Sequence, residues 1–407
     1  MVDQPRDVAG WLRALCEEGC VTPTHPWAAC SARPAGFDAA RFSRGQRVAL
    51  DNIFSMAYAE LVSMLMMFAF EDQTAVLLAT GRSDTPIKAY FRYLSTMRRV
   101  RTWYEGDIWD PESAAGRNVR AVRGMHDHVT RRLEDSGTGS SLHVRAAALL
   151  PAGPASDPGL DGGVAGAARE AFADVCPAAP SATATCAAGP AINQRSMAVT
   201  QVAFIGLFVL EPARFGAHAV TDEDLDALVY VWWILGRALG ILDRYNVCGD
   251  SLPEALGEGS LRDDDGLLRL RTARARCRAI VGGWALPRLA LASERWQLMA
   301  SALCDGAALA APGLSLPLSL GFLVDVLGAV ARRPFSGPAV ERVMSRRDRV
   351  WRVLYRVVLD HAMRAAPGRA FHNALFRLSL WVSHWAERTC WRRDSALRGE
   401  GPNLLTQ

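Results

Sequence analysis

Apolar residues along this chain recur at steps of three and four positions, the spacing of one helix face. Strict alternation of apolar and polar residues is rare, and turn residues do not cluster at the spacing expected between strands. The pattern predicts helices over 42–70, 86–104, 115–134, 196–210, 221–245, 265–282, 287–310, 338–364 and 369–390. Two start signals are clear: Thr85 followed by Pro86, and the three acids after Thr221. We therefore expect an all-α protein.

One segment interrupts the helical pattern. From about 146 to 190 the chain is rich in Ala, Gly, Pro and Ser, which predicts a surface insertion with one short helix near 165–175. The helical pattern resumes with the same character beyond it, so the insertion does not separate domains. We expect an N-terminal extension over 1–34, a core over 35–250 that carries the insertion, and a C-terminal helical region over 251–395 packed on that core.

A histidine occupies an apolar position in the helix predicted over 115–134. The face in question consists of Val119, Val122, His126, Val129 and Leu133. His128 lies about 200° away around the same helix, so the two histidines cannot bind one metal together. A single imidazole from a helix in an apolar pocket is the arrangement that haem iron uses. The alternative is a hydrogen-bonded core histidine.

The helix that begins at Pro86 carries a polar stripe beside its apolar face. The stripe consists of Arg92, Thr96, Arg99 and Trp103, and the apolar face of Ile87, Tyr90, Phe91, Leu94 and Met97. A cation, a hydroxyl and an aromatic ring beside a core face are suited to lining a pocket. The alternative is a surface helix whose arginine extends into solvent.

Composition excludes some classes of protein. The chain has 407 residues and a formal net charge of +4, and no nucleic-acid motif occurs, so we expect no nucleic-acid partner. Nine dispersed cysteines do not form a disulfide framework. Cys16, Cys20, His25 and Cys30 only weakly match zinc-ligand spacing. The first twenty residues mix charges without an apolar run, so no signal peptide is expected and the protein is predicted to be intracellular.

Two features bear on membranes. Gly306–Val324 is an uncharged stretch of nineteen residues, long enough to cross a bilayer, but it contains two prolines. It is a spanning segment, a buried hairpin or a segment on the membrane surface. Arg332–Glu400 carries fifteen arginines against six acids. This region either lies on an anionic membrane or is a solvated helix face.

Six segments in fixed order resemble the rubber oxygenase (latex-clearing protein) and ER-bound oxygenase catalytic-domain family, its arthropod-type members in particular. The segments are PAGFDAARFSRGQ at 34–46, GRSDTPIKAYFRYLSTMRRVRTWYEGDIWDP at 81–111, VRAVRGMH at 119–126, MAVTQVAFIGLFVLEPARFGAH at 197–218, TDEDL at 221–225 and WWILGRALGILDRYN at 232–246. The resemblance covers 35–250 well and the C-terminal region more loosely.

The resemblance implies a single helical domain with a globin-like core that encloses haem b. The family's axial histidine falls on His126, and its distal Arg and Thr fall on Arg92 and Thr96. Thr96 lies thirty residues before His126, as the family pattern requires. Thr96 would hydrogen-bond a ligand on the iron, and Arg92 would polarise dioxygen. Arg123 would supply a positive charge to the haem propionates.

The chain departs from the family pattern at two points. Bacterial rubber oxygenases can have a lysine immediately before the distal Thr as a second iron ligand, whereas this chain has Ser95. We therefore expect an open or water-filled distal position. No acid matches the carboxylate proposed as base in those enzymes, and Glu71 and Asp72 lie only near the matching segment.

The resemblance predicts a haem-dependent dioxygenase that cleaves a carbon–carbon double bond in an apolar, isoprenoid-like substrate, with dioxygen as co-substrate. The alternative is a non-catalytic haem- or lipid-binding protein of the same fold. Peripheral contact with the endoplasmic reticulum membrane is expected by analogy with the ER-bound relatives.

Overall fold

The computed structural model describes residues 8–27, 32–135, 164–173, 189–249, 266–309, 324, 326–327, 342 and 344–391. Over these residues the protein is helical and contains no β-strand, which confirms the all-α prediction. The α-helices are α1 (Val8–Glu17), α2 (Ala39–Asp51), α3 (Ile53–Phe68), α4 (Glu71–Ala79), α5 (Pro86–Glu105), α6 (Ala114–Asp135), α7 (Val164–Phe172), α8 (Gln194–Leu210), α9 (Asp222–Ala238), α10 (Leu268–Ile280), α11 (Leu286–Leu289), α12 (Glu294–Leu309), α13 (Arg346–Asp360) and α14 (Ala366–Ala386).

Both start signals mark the beginning of a helix, although Thr85 makes no side-chain capping hydrogen bond. Pro86 is the first residue of α5, after Thr85 in an extended conformation. Thr221 and Asp224 form a capping box at the start of α9, in which each side chain bonds the backbone N–H of the other. The short helix within the Ala- and Gly-rich insertion is α7, whereas most of that insertion lies outside the described residues.

The single helix predicted over 42–70 is wrong, because the chain bends by 80° between α2 and α3. The bend falls at Asn52, whose side-chain amide donates to the Val48 carbonyl at 2.9 Å. Asn373 of α14 pairs with the backbone groups that the bend exposes. Its amide donates to the Asp51 carbonyl at 2.6 Å, and its carbonyl accepts from the Phe54 N–H at 3.1 Å. Such pairing is what permits a buried helix break.

Other predicted helices are shorter than expected. The one predicted over 221–245 ends at Ala238 because Gly240 adopts a positive φ of 93°, and a 3₁₀ turn follows at Asp243–Tyr245. The helix predicted over 265–282 continues through a π-helical turn at Val281–Ala285 into α11, and the helix predicted over 287–310 is broken before Glu294. The pattern missed α1 and α4 altogether.

The core is built on helices that are apolar all round. α3 and α8 are buried on nearly every face and pack against each other, while α9 packs on α2. α12 crosses α5 closely at Gly306, where an added Cβ would lie 2.7 Å from the Pro86 carbonyl oxygen. One hydrophobic cluster extends from Trp11 to Met363, so helices of the N-terminal and C-terminal regions share the core of residues 35–250.

Among the described residues, no individual helix has both the length and the hydropathy of a bilayer-crossing segment. α2 and α3 pass that test only as a pair, across their 80° bend. Of the Gly306–Val324 stretch, residues 306–309 end α12, and 310–323 lie outside the described residues.

Asn373→Ala is expected to lower the free energy of unfolding by about 1–3 kcal/mol, because it leaves the Asp51 carbonyl and the Phe54 N–H without their side-chain partner. Leu378→Ala, on the exposed face of the same helix, serves as the control and should change it little. Denaturant unfolding measures both. Equal stabilities for Asn373→Ala and wild type would contradict the proposed role of Asn373.

Candidate functional site

A cavity of about 960 Å³ lies between α3, α5, α6, α8, α12 and α14. Its wall is mainly aliphatic and aromatic, with Met64, Met67, Leu94, Val122, Phe204 and Phe376 among its members. The volume falls at the upper end of the ~300–1,000 Å³ typical of pockets for small molecules and cofactors. The cavity can therefore hold a large apolar molecule.

His126 lines this cavity together with the face of α6 on which the sequence placed it. Val122, Val129 and Leu133 of that face line the cavity too. The His126 Nδ1 atom is enclosed, and no described residue hydrogen-bonds to it. Nε2 is not enclosed in this way, which leaves it accessible to an occupant of the cavity.

The His126 imidazole is neutral at physiological pH. Burial lowers its pKa to about 4, and the positive charges of Arg123 and Arg92 act in the same direction, against the opposing charge of Asp127. A neutral imidazole with an accessible nitrogen is the form that ligates a metal.

The polar stripe of α5 faces the cavity, which favours the pocket-lining interpretation over the surface helix. Arg92, Thr96, Arg99 and Trp103 all line it, and so does Ser95. Arg92 Nη1 donates to Thr80 Oγ1 at 2.8 Å, and Thr96 Oγ1 donates to the Arg92 carbonyl at 3.0 Å. The positive charge of Arg92 also acts on His126, so the two side chains share one electrostatic environment.

Arg123 is held away from the cavity, contrary to its expected place at a propionate. Its guanidinium donates to the backbone carbonyls of Leu239 and His25 and lies 3.6 Å from the Asp127 carboxylate. It packs over Gly240, where a Cβ would collide with Nη1. Arg123 is thus committed to joining α6 to the end of α9, and it does not line the cavity.

Three further arginines line the cavity: Arg99, Arg82 and the exposed Arg132. Arg99 was part of the predicted stripe, and its Nη1 donates to Asn118 Oδ1 at 2.8 Å, which ties α5 to α6. Arg82 precedes α5 in the loop after α4, and no helical periodicity there could have placed its side chain. Both guanidinium groups remain charged although burial lowers their pKa.

Glu60 is the carboxyl group that sequence reasoning missed. It is the one charged residue of α3, it is 8% exposed, and it lines the cavity. Burial raises its pKa well above the ordinary glutamate value, and no described residue hydrogen-bonds to it. The available signal was a lone acid within the apolar run IFSMAYAELVSMLMMF. Burial therefore favours the protonated form of Glu60.

Glu71 and Asp72, the acids near the family segment, lie outside the cavity wall. Glu71 accepts from Ser293 Oγ at 2.5 Å and pairs with Arg295 at 3.3 Å. Burial alone would raise the pKa of Asp72, but its ion pair with Arg195 outweighs burial and lowers it. Both acids therefore hold the fold together and face no substrate.

Gln201 and Asn246 form a buried structural network at the far wall. The Gln201 amide donates to the Trp232 carbonyl at 2.8 Å and to Asn246 Oδ1 at 3.0 Å, and its carbonyl accepts from the Val247 N–H at 3.0 Å. A Cβ on Gly236 would lie 2.7 Å from the Asn246 amide. The glycine thus permits close packing of this network.

The cavity offers one neutral imidazole, which suits a metal that a macrocycle already holds. Over the described residues, no group of three or more His, Cys, Asp or Glu side chains could hold a metal ion. Cys30, the fourth member of the weak zinc spacing with Cys16, Cys20 and His25, lies outside the described residues. A haem needs one neutral imidazole and an apolar slot. The residues around His126 fit that requirement.

Compared with known proteins, the chain matches no family model, no curated protein and no solved structure. The resemblance to the rubber oxygenase family therefore stays an interpretation of the sequence motifs.

Glu60→Gln is expected to raise the thermal unfolding midpoint more at pH 8 than at pH 5. The folded-state pKa of Glu60 is raised, so its contribution to stability is present below the unfolded pKa and is lost as pH rises towards the folded pKa. The amide keeps the shape of the side chain without an ionisable group. Calorimetry at both pH values measures the difference.

Glu112→Gln, at an exposed glutamate, is the matched control and should shift the midpoint by similar small amounts at the two pH values. A Glu60→Gln shift that is equal at both pH values, or larger at pH 5, would contradict a protonated Glu60.

Proposed function

We propose that this protein is a haem b-dependent oxygenase that adds dioxygen across a carbon–carbon double bond of an apolar, isoprenoid-like substrate and leaves two carbonyl ends. One observation carries the proposal: the neutral His126 shares a single large apolar cavity with Arg92 and Thr96. The ordered motifs between residues 34 and 246 support it through their resemblance to the rubber oxygenase family.

His126 would hold the cofactor through the accessible nitrogen of its neutral imidazole. Bound haem would supply the redox-active iron that activates dioxygen for addition to the double bond. With Ser95 on the cavity wall in place of a lysine, the chain offers no amine from that position as a second ligand.

The chain's own residues would control charge, protons and water. The Arg92 guanidinium would stabilise negative charge that develops on oxygen, an effect that is strong in a low-dielectric cavity. Burial raises the pKa of Glu60 well above its ordinary value and favours its protonated form, which would donate a proton to an oxygen atom within reach. The apolar wall would accommodate the hydrocarbon and exclude water.

The second candidate is a non-catalytic haem- or lipid-binding protein of the same fold. It is favoured by the hydrogen bonds of the two expected distal groups, because Arg92 already donates to Thr80, and Thr96 already donates to the backbone of α5. Both candidates require an occupied cavity, and they differ only in turnover.

Purified protein titrated with haem b is expected to develop a Soret absorption band that His126→Ala abolishes or displaces. His361→Ala is the control, since that exposed side chain follows α13 outside the cavity wall and should leave the band intact. A band that is absent in wild type, or unchanged in His126→Ala, would refute haem ligation by His126.

The same haem-loaded protein separates the two candidates. Polyisoprene and farnesylated compounds are incubated with ¹⁸O-labelled dioxygen, and the products are analysed by mass spectrometry. Label in carbonyl cleavage products supports the oxygenase. Intact substrate together with a normal Soret band supports the binding protein.

We further propose peripheral contact with an anionic intracellular membrane, such as that of the endoplasmic reticulum, through α13 and α14. Two stripes of large apolar side chains are exposed on these helices: Val350, Val353, Leu354 and Val357 on α13, and Phe371, Leu378, Trp381 and Trp385 on α14. Arginines such as Arg349 and Arg377 are exposed beside these stripes. Exposed apolar and Trp side chains beside arginines suit the interface of an anionic bilayer.

Trp381→Ser combined with Trp385→Ser is expected to weaken binding to phosphatidylserine-containing vesicles in flotation assays, because the two rings, 65% and 56% exposed, would enter the interface. Leu291→Ser removes an equally exposed apolar residue elsewhere and is the control. If wild-type protein fails to float with these vesicles at low salt, the membrane proposal fails.

A further inference from the structure

The cavity wall carries a concentration of positive charge at one place. Arg82, Arg92 and Arg99 all line it, and Arg92 and Arg99 lie two turns apart on one face of α5. The charge of Arg82 acts on both of the others. The three guanidinium groups therefore form one cluster, here called the arginine cluster.

The described residues leave the arginine cluster with excess positive charge. Glu387 is the carboxylate whose charge acts on Arg82 and Arg99, and it is already paired with Arg98. No described carboxylate acts on Arg92. Glu387 is thus shared by Arg82, Arg98 and Arg99, and Arg92 has no described carboxylate.

The hydrogen bonds of Arg82 and Arg92 do not neutralise their charge. Arg92 donates to the Thr80 hydroxyl, which is neutral, and no described residue accepts a hydrogen bond from Arg82. Arg99 is already engaged, in part through the Asn118 amide oxygen. Buried charges are costly unless they are paired, so Arg82 and Arg92 are adapted to an anionic partner.

We propose that the arginine cluster binds the carboxylate of a molecule whose remainder is apolar. The planar fork of Arg82 can take a carboxylate in bidentate fashion, and Arg92 and Arg99 would add charge from α5. The rest of the wall is aliphatic and aromatic, which suits a long hydrocarbon attached to that acid.

Two molecules could present this carboxylate. One is an amphiphilic substrate or ligand with an acidic end, and the other is haem b through a propionate. An amphiphilic acid would give the apolar substrate of the proposed function an acidic end group. This assignment of the substrate rests on the proposed function. Binding itself is measurable without turnover.

Isothermal titration compares oleate with oleyl alcohol, and haem b with its dimethyl ester, on the full-length protein and its variants. Each pair differs in its acidic groups. We expect at least one acid to bind wild type about tenfold or more tightly than its uncharged partner. Arg82→Met should remove that preference, and Arg82→Lys should retain part of it.

Arg101→Met is the matched control. Arg101 lies on α5, the helix of Arg92 and Arg99, but it pairs with Glu105 at 2.7 Å outside the cavity. It should preserve the preference for the acid. Circular dichroism and the unfolding midpoint identify any variant that fails to fold, and Arg82→Lys then takes over the comparison.

Each outcome decides the inference. A preference confined to oleate identifies an amphiphilic acid, and one confined to haem identifies a propionate. Equal binding within both pairs, or a preference that survives in folded Arg82→Met, overturns the carboxylate site. The Soret band of wild type reports separately on haem binding, so failure here is distinguishable from failure of the proposed function.

Discussion

The cavity is the feature on which the rest of this structure depends. Its 960 Å³ is partly open to the surroundings, so the space is filled by water or by a ligand. An apolar wall offers water few partners, so the packing around the cavity favours an apolar occupant.

The same apolar surroundings act differently on the ionisable groups of the wall. Burial lowers the pKa of His126 to about 4 and raises the pKa of Glu60, because each group can lose its charge by exchanging one proton. The arginines cannot do so at physiological pH and stay charged. The wall therefore combines a neutral imidazole nitrogen, a carboxyl group with a raised pKa and several guanidinium cations, which is a combination for chemistry or for binding an anion, not for stability.

Particular residues show how far sequence reasoning reached. The faces of α5 and α6 followed from periodicity, and the structure places Arg92, Thr96, Arg99 and His126 on one cavity. Arg123 was assigned by its distance of three residues from His126, but a long side chain can turn away, and here two backbone carbonyls hold it. Arg82 lies in a loop, where no periodicity orients a side chain.

The sequence by itself determined the helical class, the apolar faces and the start of most helices, since these depend on residues within a few positions of each other. Only the tertiary structure decided where helices break and which charged groups meet. The bend at Asn52 is permitted by Asn373, more than three hundred residues away, and the arginine cluster gathers a loop and a helix around one space. Buried polar groups must find partners across the whole fold, and local sequence cannot show which partners those will be.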